Sequence, residues 1–177
     1  IYFNGSKKEP IVIKSNYDGK IEKAREPVVN TSSNLSLGYG ILVINADSTS
    51  KINNVIFKRL SAPPLKSGQG LVGAINFYES DVEISNTIFL ENIKGDDYLN
   101  IIRSNFSIKN SSFINIYSNA FDSDFSKGLI ENVSFKKIKN DAIDFSGSFV
   151  EGKQIYILEA GDKGVSAGEK STIKLND

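Results

Sequence analysis

Six polar residues recur at one position of a repeated pattern: Asn45, Asn76, Asn100, Asp122, Asp144 and Ser166. Their neighbours are apolar or small, as in Ile75–Asn76–Phe77, Leu99–Asn100–Ile101 and Ile143–Asp144–Phe145. Strand alternation turns those neighbours inward and the middle residue outward. Stacked this way, successive members lie one strand spacing apart, about 4.8 Å. Placing Asn45 in the column takes a gap of one residue. Carboxylates about 5 Å apart repel by about 0.8 kcal/mol in water and by more where water is excluded. Asp122 over Asp144, with Asp124 two residues on, therefore requires a bound cation, a nearby lysine such as Lys163, or a raised pKa.

Two reaction classes could use such a cluster, with Asp122, Asp124 and Asp144 as the catalytic candidates. Glycoside hydrolysis needs two carboxyls about 5 Å apart for retention or about 6.5–9.5 Å apart for inversion. A lyase or epimerase needs a base and a cationic group to neutralise a uronate, and Arg103 and Lys163 are the groups to hand. Asp122 and Asp144 are also the candidate metal ligands, for a hard cation such as Ca2+. Asn76, Asn100, Arg103 and Lys163, with Tyr78 and Tyr98 as an aromatic platform, would line a sugar-binding surface. The plainer alternative is a ladder of amides and carboxylates that hydrogen-bond along the stack.

Composition narrows the chemistry further. The chain has 177 residues, a length that fits one domain. It contains neither histidine nor cysteine. Ser-His-Asp catalysis, thiolate chemistry, disulfides and Cys- or His-type zinc sites are thereby excluded. The 21 basic side chains balance 21 acidic ones, so no global field draws the chain to nucleic acid or a membrane. No apolar run approaches the roughly 18 residues of a membrane-spanning helix. No signal peptide is expected in residues 1–177, and the lack of any methionine, even at position 1, is expected of a processed chain or of a segment of a longer one.

What must position these residues is a repeat. The pattern Φ-x-(N/G)-x-x-(F/I), with Φ apolar, occurs at Ile52–Asn54–Phe57, Ile84–Asn86–Phe89, Ile108–Asn110–Phe113, Ile130–Asn132–Phe135 and Val150–Gly152–Ile155, and restarts near Thr172–Ile173. The steps of 32, 24, 22 and 20 residues are, after the first, too short for helical-hairpin repeats. The units are rich in Ile, Phe, Val, Ser, Thr and Asn, and they alternate with a period of two. Short strands in turns of 20–24 residues predict an all-β fold: a right-handed single-stranded parallel β-helix of six to seven coils. Asn54, Asn86, Asn110 and Asn132 hold equivalent positions and are expected to stack. Asp141 and Asp162 are expected to be turn residues that accept backbone N–H bonds.

On these residues the chain resembles the right-handed parallel β-helix superfamily typified by pectate lyases. The opening Asn4–Gly5–Ser6 and Glu9–Pro10–Ile11–Val12–Ile13 is similar to the first coil of secreted polysaccharide-processing β-helices. The later runs LVGAINFYESDVEISN, LNIIRSNFSIKNSSF and FDSDFSKGLIENVSF resemble β-helix modules of uncharacterised bacterial secreted proteins. The Asn-Thr-Asp and His-bearing motifs of polygalacturonase-like β-helices are not present. The resemblance implies an extracellular or cell-surface location and a polysaccharide or glycan as partner.

Two segments break the pattern within this single domain of residues 1–177. Residues 16–39 read as a polar loop that caps the stack, and residues 61–70 read as a loop insertion with adjacent prolines. The last coil is incomplete at Asp177, so further β-helix sequence or end-to-end stacking of copies is expected there. Three functions follow: a non-catalytic carbohydrate-binding or surface module, a carbohydrate-active enzyme built on the aspartates, and a self-stacking scaffold unit.

Overall fold

A computed structural model of the chain describes residues 1–15, 40–63 and 71–176. Those residues form sixteen strands and no helix. One sheet contains β1 (Tyr2–Asn4), β4 (Ser50–Asn53), β7 (Val82–Ser85), β10 (Asn105–Ile116), β12 (Lys127–Ile138), β14 (Phe149–Ala160) and β16 (Thr172–Asn176) in that order. Its second arm is β2 (Ile11–Lys14), β5 (Val55–Ser61) and β8 (Ile88–Lys94), which joins the far half of β10. The other sheet runs β15 (Val165–Gly168), β13 (Ile143–Ser146), β11 (Asn119–Asp124), β9 (Asp97–Ile102), β6 (Gly73–Tyr78) and β3 (Ile41–Ile44). Every pairing is parallel, for example Ile130 opposite Ile108 and Phe145 opposite Ser123. The chain is a parallel β-solenoid, as the repeats predict. It makes about five turns rather than six to seven, because strands at the two ends belong to partial coils.

The coil turns at corners held by left-handed residues. Asn54, Asn86, Asn110, Asn132 and Gln154 all have φ between 48° and 53°, and they separate the two arms of the first sheet. A second column, Asn45, Glu79, Arg103, Phe125, Gly147 and Glu169, is also left-handed. So is a third, Arg59, Glu91, Asn115, Lys137 and Glu159. Asparagine tolerates this conformation better than other non-glycine residues, which explains its recurrence at the first corner. The amides there also bond along the stack: Asn132 Nδ2 donates to Asn110 Oδ1 at 2.9 Å and Asn86 Nδ2 to Asn53 Oδ1 at 2.9 Å.

Gln154 at the end of this column corrects the expected register. Gly152 lies opposite Ile130, two residues before the corner, so the last step is 22 residues rather than 20. Glutamine in an asparagine position, with a glycine two residues earlier, hides that corner from pattern matching.

Serines close the next position. Ser80, Ser104, Ser126 and Ser148 each follow a left-handed residue and point into the stack. The Ser80 N–H donates to Ser104 Oγ at 2.8 Å, Ser104 N–H to Ser126 Oγ at 3.1 Å, and Ser126 N–H to Ser148 Oγ at 3.0 Å. Each hydroxyl in turn donates to a carbonyl two residues back, as Ser104 Oγ does to Ile102 O at 2.8 Å. Buried N–H groups that the corner would orphan are satisfied this way.

Inside, aromatic rings stack coil on coil. Phe113 lies 4.3 Å from Phe89 and 4.9 Å from Phe135, both nearly coplanar with it. Tyr98 is also core: it is fully buried and meets Phe89 edge-on at 5.7 Å. It occupies a level whose in-register neighbours are Ala74 and Ala120, small enough to leave room for the ring. The expected loop at residues 16–39 and residues 64–70 of the loop expected at 61–70 lie outside the described residues, and Ser61, its expected first residue, is still the last residue of β5. Phe113→Ala should cost about 3–5 kcal/mol in urea unfolding, because it empties a central level of the stack. Asn110→Val should cost roughly 1–3 kcal/mol through backbone strain, whereas Asn110→Gly should cost far less.

Candidate functional site

The second sheet presents the acidic column, and the register there is the predicted one. Asn76 pairs with Asn100, Asn100 with Asp122, Asp122 with Asp144, and Asp144 with Ser166. The first member is different: Leu42, not Asn45, lies opposite Asn76. Asn45 is a corner residue aligned with Glu79, which its left-handed φ requires.

Solvent exposure holds only towards the end of the column. Asp122, Asp144 and Ser166 are half-buried, but Asn76 and Asn100 are buried. Gly73 brackets Asn76, donating to Oδ1 at 3.0 Å and accepting from Nδ2 at 2.6 Å. Asn100 Nδ2 donates to Asp97 Oδ2 at 3.2 Å and to Asp122 Oδ2 at 2.9 Å. Asp97 also accepts from Asn119 Nδ2 at 3.0 Å. Asn100 Oδ1 is buried without a hydrogen-bond partner.

Electrostatics of this patch are unusual for the molecule. Asp97, Asp122, Asp124, Asp144 and Glu169 form no ion pair among the described residues. Burial, reinforced by neighbouring carboxylates, lifts the Asp122 carboxyl from an ordinary 3.8 to about 9. Burial likewise lifts Asp97 from 3.8 to about 7 and raises Asp124. Protons therefore relieve the repulsion that the sequence implied. Lys163 is not the counter-ion: it pairs with Asp141 at 3.5 Å and with Asp162. Asp141 does accept the Lys163 backbone N–H at 2.8 Å, as expected of a turn residue. Among the described residues no group of three or more acidic side chains is placed to hold a metal ion. The Asp122–Asp144 pair alone offers a fraction of the six to eight oxygens that Ca2+ takes.

The aromatic platform is half what was expected. Tyr98 is core, so it offers no surface. Tyr78 remains half-exposed, and Arg103 binds it: Nη1 donates to Tyr78 Oη at 3.0 Å, and the guanidinium lies 5.9 Å from the ring centre. Arg103 also pairs with Glu79 at 3.5 Å.

A second surface was not legible as a site. Where the two arms of the first sheet meet, the bend leaves an open groove of about 560 Å³ crossing the coils. Asn54, Asn86, Asn110 and Asn132 edge it, while Ser112 and Ser134 add hydroxyls and Lys7 adds a charge; the Thr87 and Ser111 hydroxyls are turned away, donating to Ser85 O and Lys109 O. Beyond the corner the outward residues are Val12, Ile56, Ile88, Ser112, Ser134 and Tyr156, in register. The asparagine repeat marked its edge, but the concavity comes from left-handed backbone and is invisible in residue type. Phe125 was also missed; its run Phe121–Asp122–Ser123–Asp124–Phe125 hides an exposed ring behind a core one.

Comparison of the chain with protein-family models, curated proteins and solved structures finds no match.

The raised carboxyls fix a pH dependence. Native Asp97 and Asp122 keep protons that the unfolded chain releases near pH 4, so the native state binds more protons above that pH. Their stabilising contribution is complete below about pH 4 and is lost as pH rises through about 7 and about 9. Urea unfolding should show stability falling as pH rises from about 5 to about 9. Asp122→Asn should flatten that fall and leave the variant more stable than wild type at pH 9.

Proposed function

We propose that this chain is a non-catalytic carbohydrate-binding module, of the pectate-lyase-like β-helix type and from a secreted bacterial protein, that takes a glycan along the groove at the asparagine corner. The observation that carries this reading is the groove's lining: four asparagine amides, one per coil at the strand spacing of about 4.8 Å, beside the Ser112 and Ser134 hydroxyls. A chain of sugar units offers hydroxyls at intervals in one direction, and a solenoid offers donors and acceptors in the same way. Amides and hydroxyls both donate and accept, so they suit hydroxyl ligands without the desolvation cost of charges. Exposed Tyr156, at the far end of the row that starts with Val12, adds an aromatic face.

A second reading, a carbohydrate-active enzyme, is supported by Asp122 standing in register with Asp144. A protonated Asp122 would serve as general acid and Asp144 as nucleophile or base, with or without a hard cation. Of the other residues read as ligand-binding, Tyr78 on that sheet and Arg103 at its corner would belong to this reading, whereas Asn76 and Asn100 are buried.

A glycan array followed by calorimetry tests the first reading. Ser134→Tyr fills the groove, and its in-register neighbour Tyr156 indicates that the position accepts the ring. The variant should bind a glycan hit at least tenfold more weakly, with a thermal midpoint within about 3 °C of wild type. No glycan bound, or no effect of the substitution, would count against the groove. Reducing-end release by wild type that disappears in Asp144→Asn would replace the first reading with the second.

A further inference from the structure

Two outward rows cross the second arm of the first sheet. One starts with Val12 and borders the groove. The other lies two residues further along each strand and runs Lys14, Lys58, Leu90, Ile114, Lys136 and Leu158, each in register with the next. Between the rows Phe57, Phe89, Phe113 and Phe135 turn into the core, so strand alternation commits both rows to the outside. Val12, Tyr156 and Leu158 are more than half exposed. Neither row contains an aspartate or a glutamate. Glu91 and Glu159 stand beyond them at the third corner, and Glu91 is paired with Arg59 at 3.7 Å.

Lysine is treated differently on the first arm. There Lys51 meets Glu83 at 3.7 Å, and Lys109 and Lys153 meet Glu131 at 3.3 and 2.8 Å. On the second arm Lys14 lies directly opposite Lys58, a like-charge pair that costs stability. Neither of them, nor Lys136, enters an ion pair among the described residues. The charges of a neutral chain are thus sorted by face, and this face is cationic over an aliphatic base. A ligand complementary to it is anionic, extended, and apolar beneath its charge.

Composition separates two such ligands. Protein interfaces are enriched in aromatic residues and arginine and depleted in lysine. These rows have the opposite bias: three lysines, six aliphatic side chains, two serines and one tyrosine, with no arginine. Lysines whose stems lie along aliphatic neighbours, with a tyrosine beside them, suit the headgroup layer of a bilayer. We propose that the second arm docks its outer face on an anionic lipid surface. The lysines lie among the headgroups, and Val12 and Leu158 point toward the acyl boundary. Neither the glycan reading nor the enzyme reading is needed for it.

The test is co-flotation of the full chain with vesicles of phosphatidylcholine alone, or mixed with phosphatidylglycerol, at low salt. The chain should float with the mixed vesicles and not with phosphatidylcholine alone, and added salt should release it. Lys14→Gln with Lys136→Gln should weaken partitioning roughly ten- to thirtyfold, because a lysine near an anionic surface is worth about 1 kcal/mol and about 1.4 kcal/mol is tenfold. Lys127→Gln with Lys174→Gln removes the same charge from the first arm and should leave partitioning unchanged. Val12→Ser with Leu158→Ser should weaken it roughly fivefold or more, through lost apolar burial. Circular dichroism should report the same strand signal for each variant. No flotation, or equal loss in the two lysine pairs, overturns the proposal. So does full binding by Val12→Ser with Leu158→Ser, which would leave charge attraction alone. Soluble polyglutamate bound as tightly, charge for charge, as the mixed vesicles would also overturn it and assign the face to an acidic protein.

Discussion

Stacking in register at a single strand spacing is the constraint on which the whole molecule depends. No coil can bury its own apolar face, so each must present the same surface to its neighbours at the same level. That requirement explains the Phe57, Phe89, Phe113 and Phe135 rings lying over one another, with spacings of 5.4, 4.3 and 4.9 Å. It also explains why the corners recur in column. A left-handed residue displaced by one position would carry every later side chain to the wrong face.

The same constraint amplifies any polar choice. One asparagine in a strand is unremarkable, but repeated each coil it becomes a row. At the first corner the row is neutral, and amide hydrogen bonds tie its members to neighbouring coils without charge. On the second sheet the row turns from amide to carboxylate between Asn100 and Asp122, and the cost of like charges is met by protonation. Serines at the adjoining corner show the economical solution: a hydroxyl both donates and accepts, so the column satisfies itself with no charge.

Sequence periodicity revealed the fold because inward residues alternate strictly, as Ile143 and Phe145 do about Asp144. It located the column of Asn76, Asn100, Asp122 and Asp144 correctly for the same reason. It misplaced Asn45 because asparagine suits both an outward strand position and a left-handed corner, and residue type alone does not separate them. Tyr98 was read as surface since tyrosine is amphipathic; its burial depends on the alanines at its own level, a property of neighbouring coils. The groove and the Phe125 ring depend on backbone curvature and on Gly147, where a Cβ would come within 2.5 Å of that ring, two features with no periodic signature.

Consider finally the row in which Lys109 stands against Glu131 and Glu131 against Lys153, at 3.3 and 2.8 Å. Lys153 and Lys109 hold the Glu131 carboxyl below its ordinary range. The sign alternates across these three coils, which neutral Ser85 and Asn176 flank, so the charged stretch has a parity. Duplication of a single 22-residue coil would set like charge on like, while duplication of two would preserve the alternation. Within this stretch the solenoid lengthens more readily by two coils than by one, and the charges act as a counting rule on growth there.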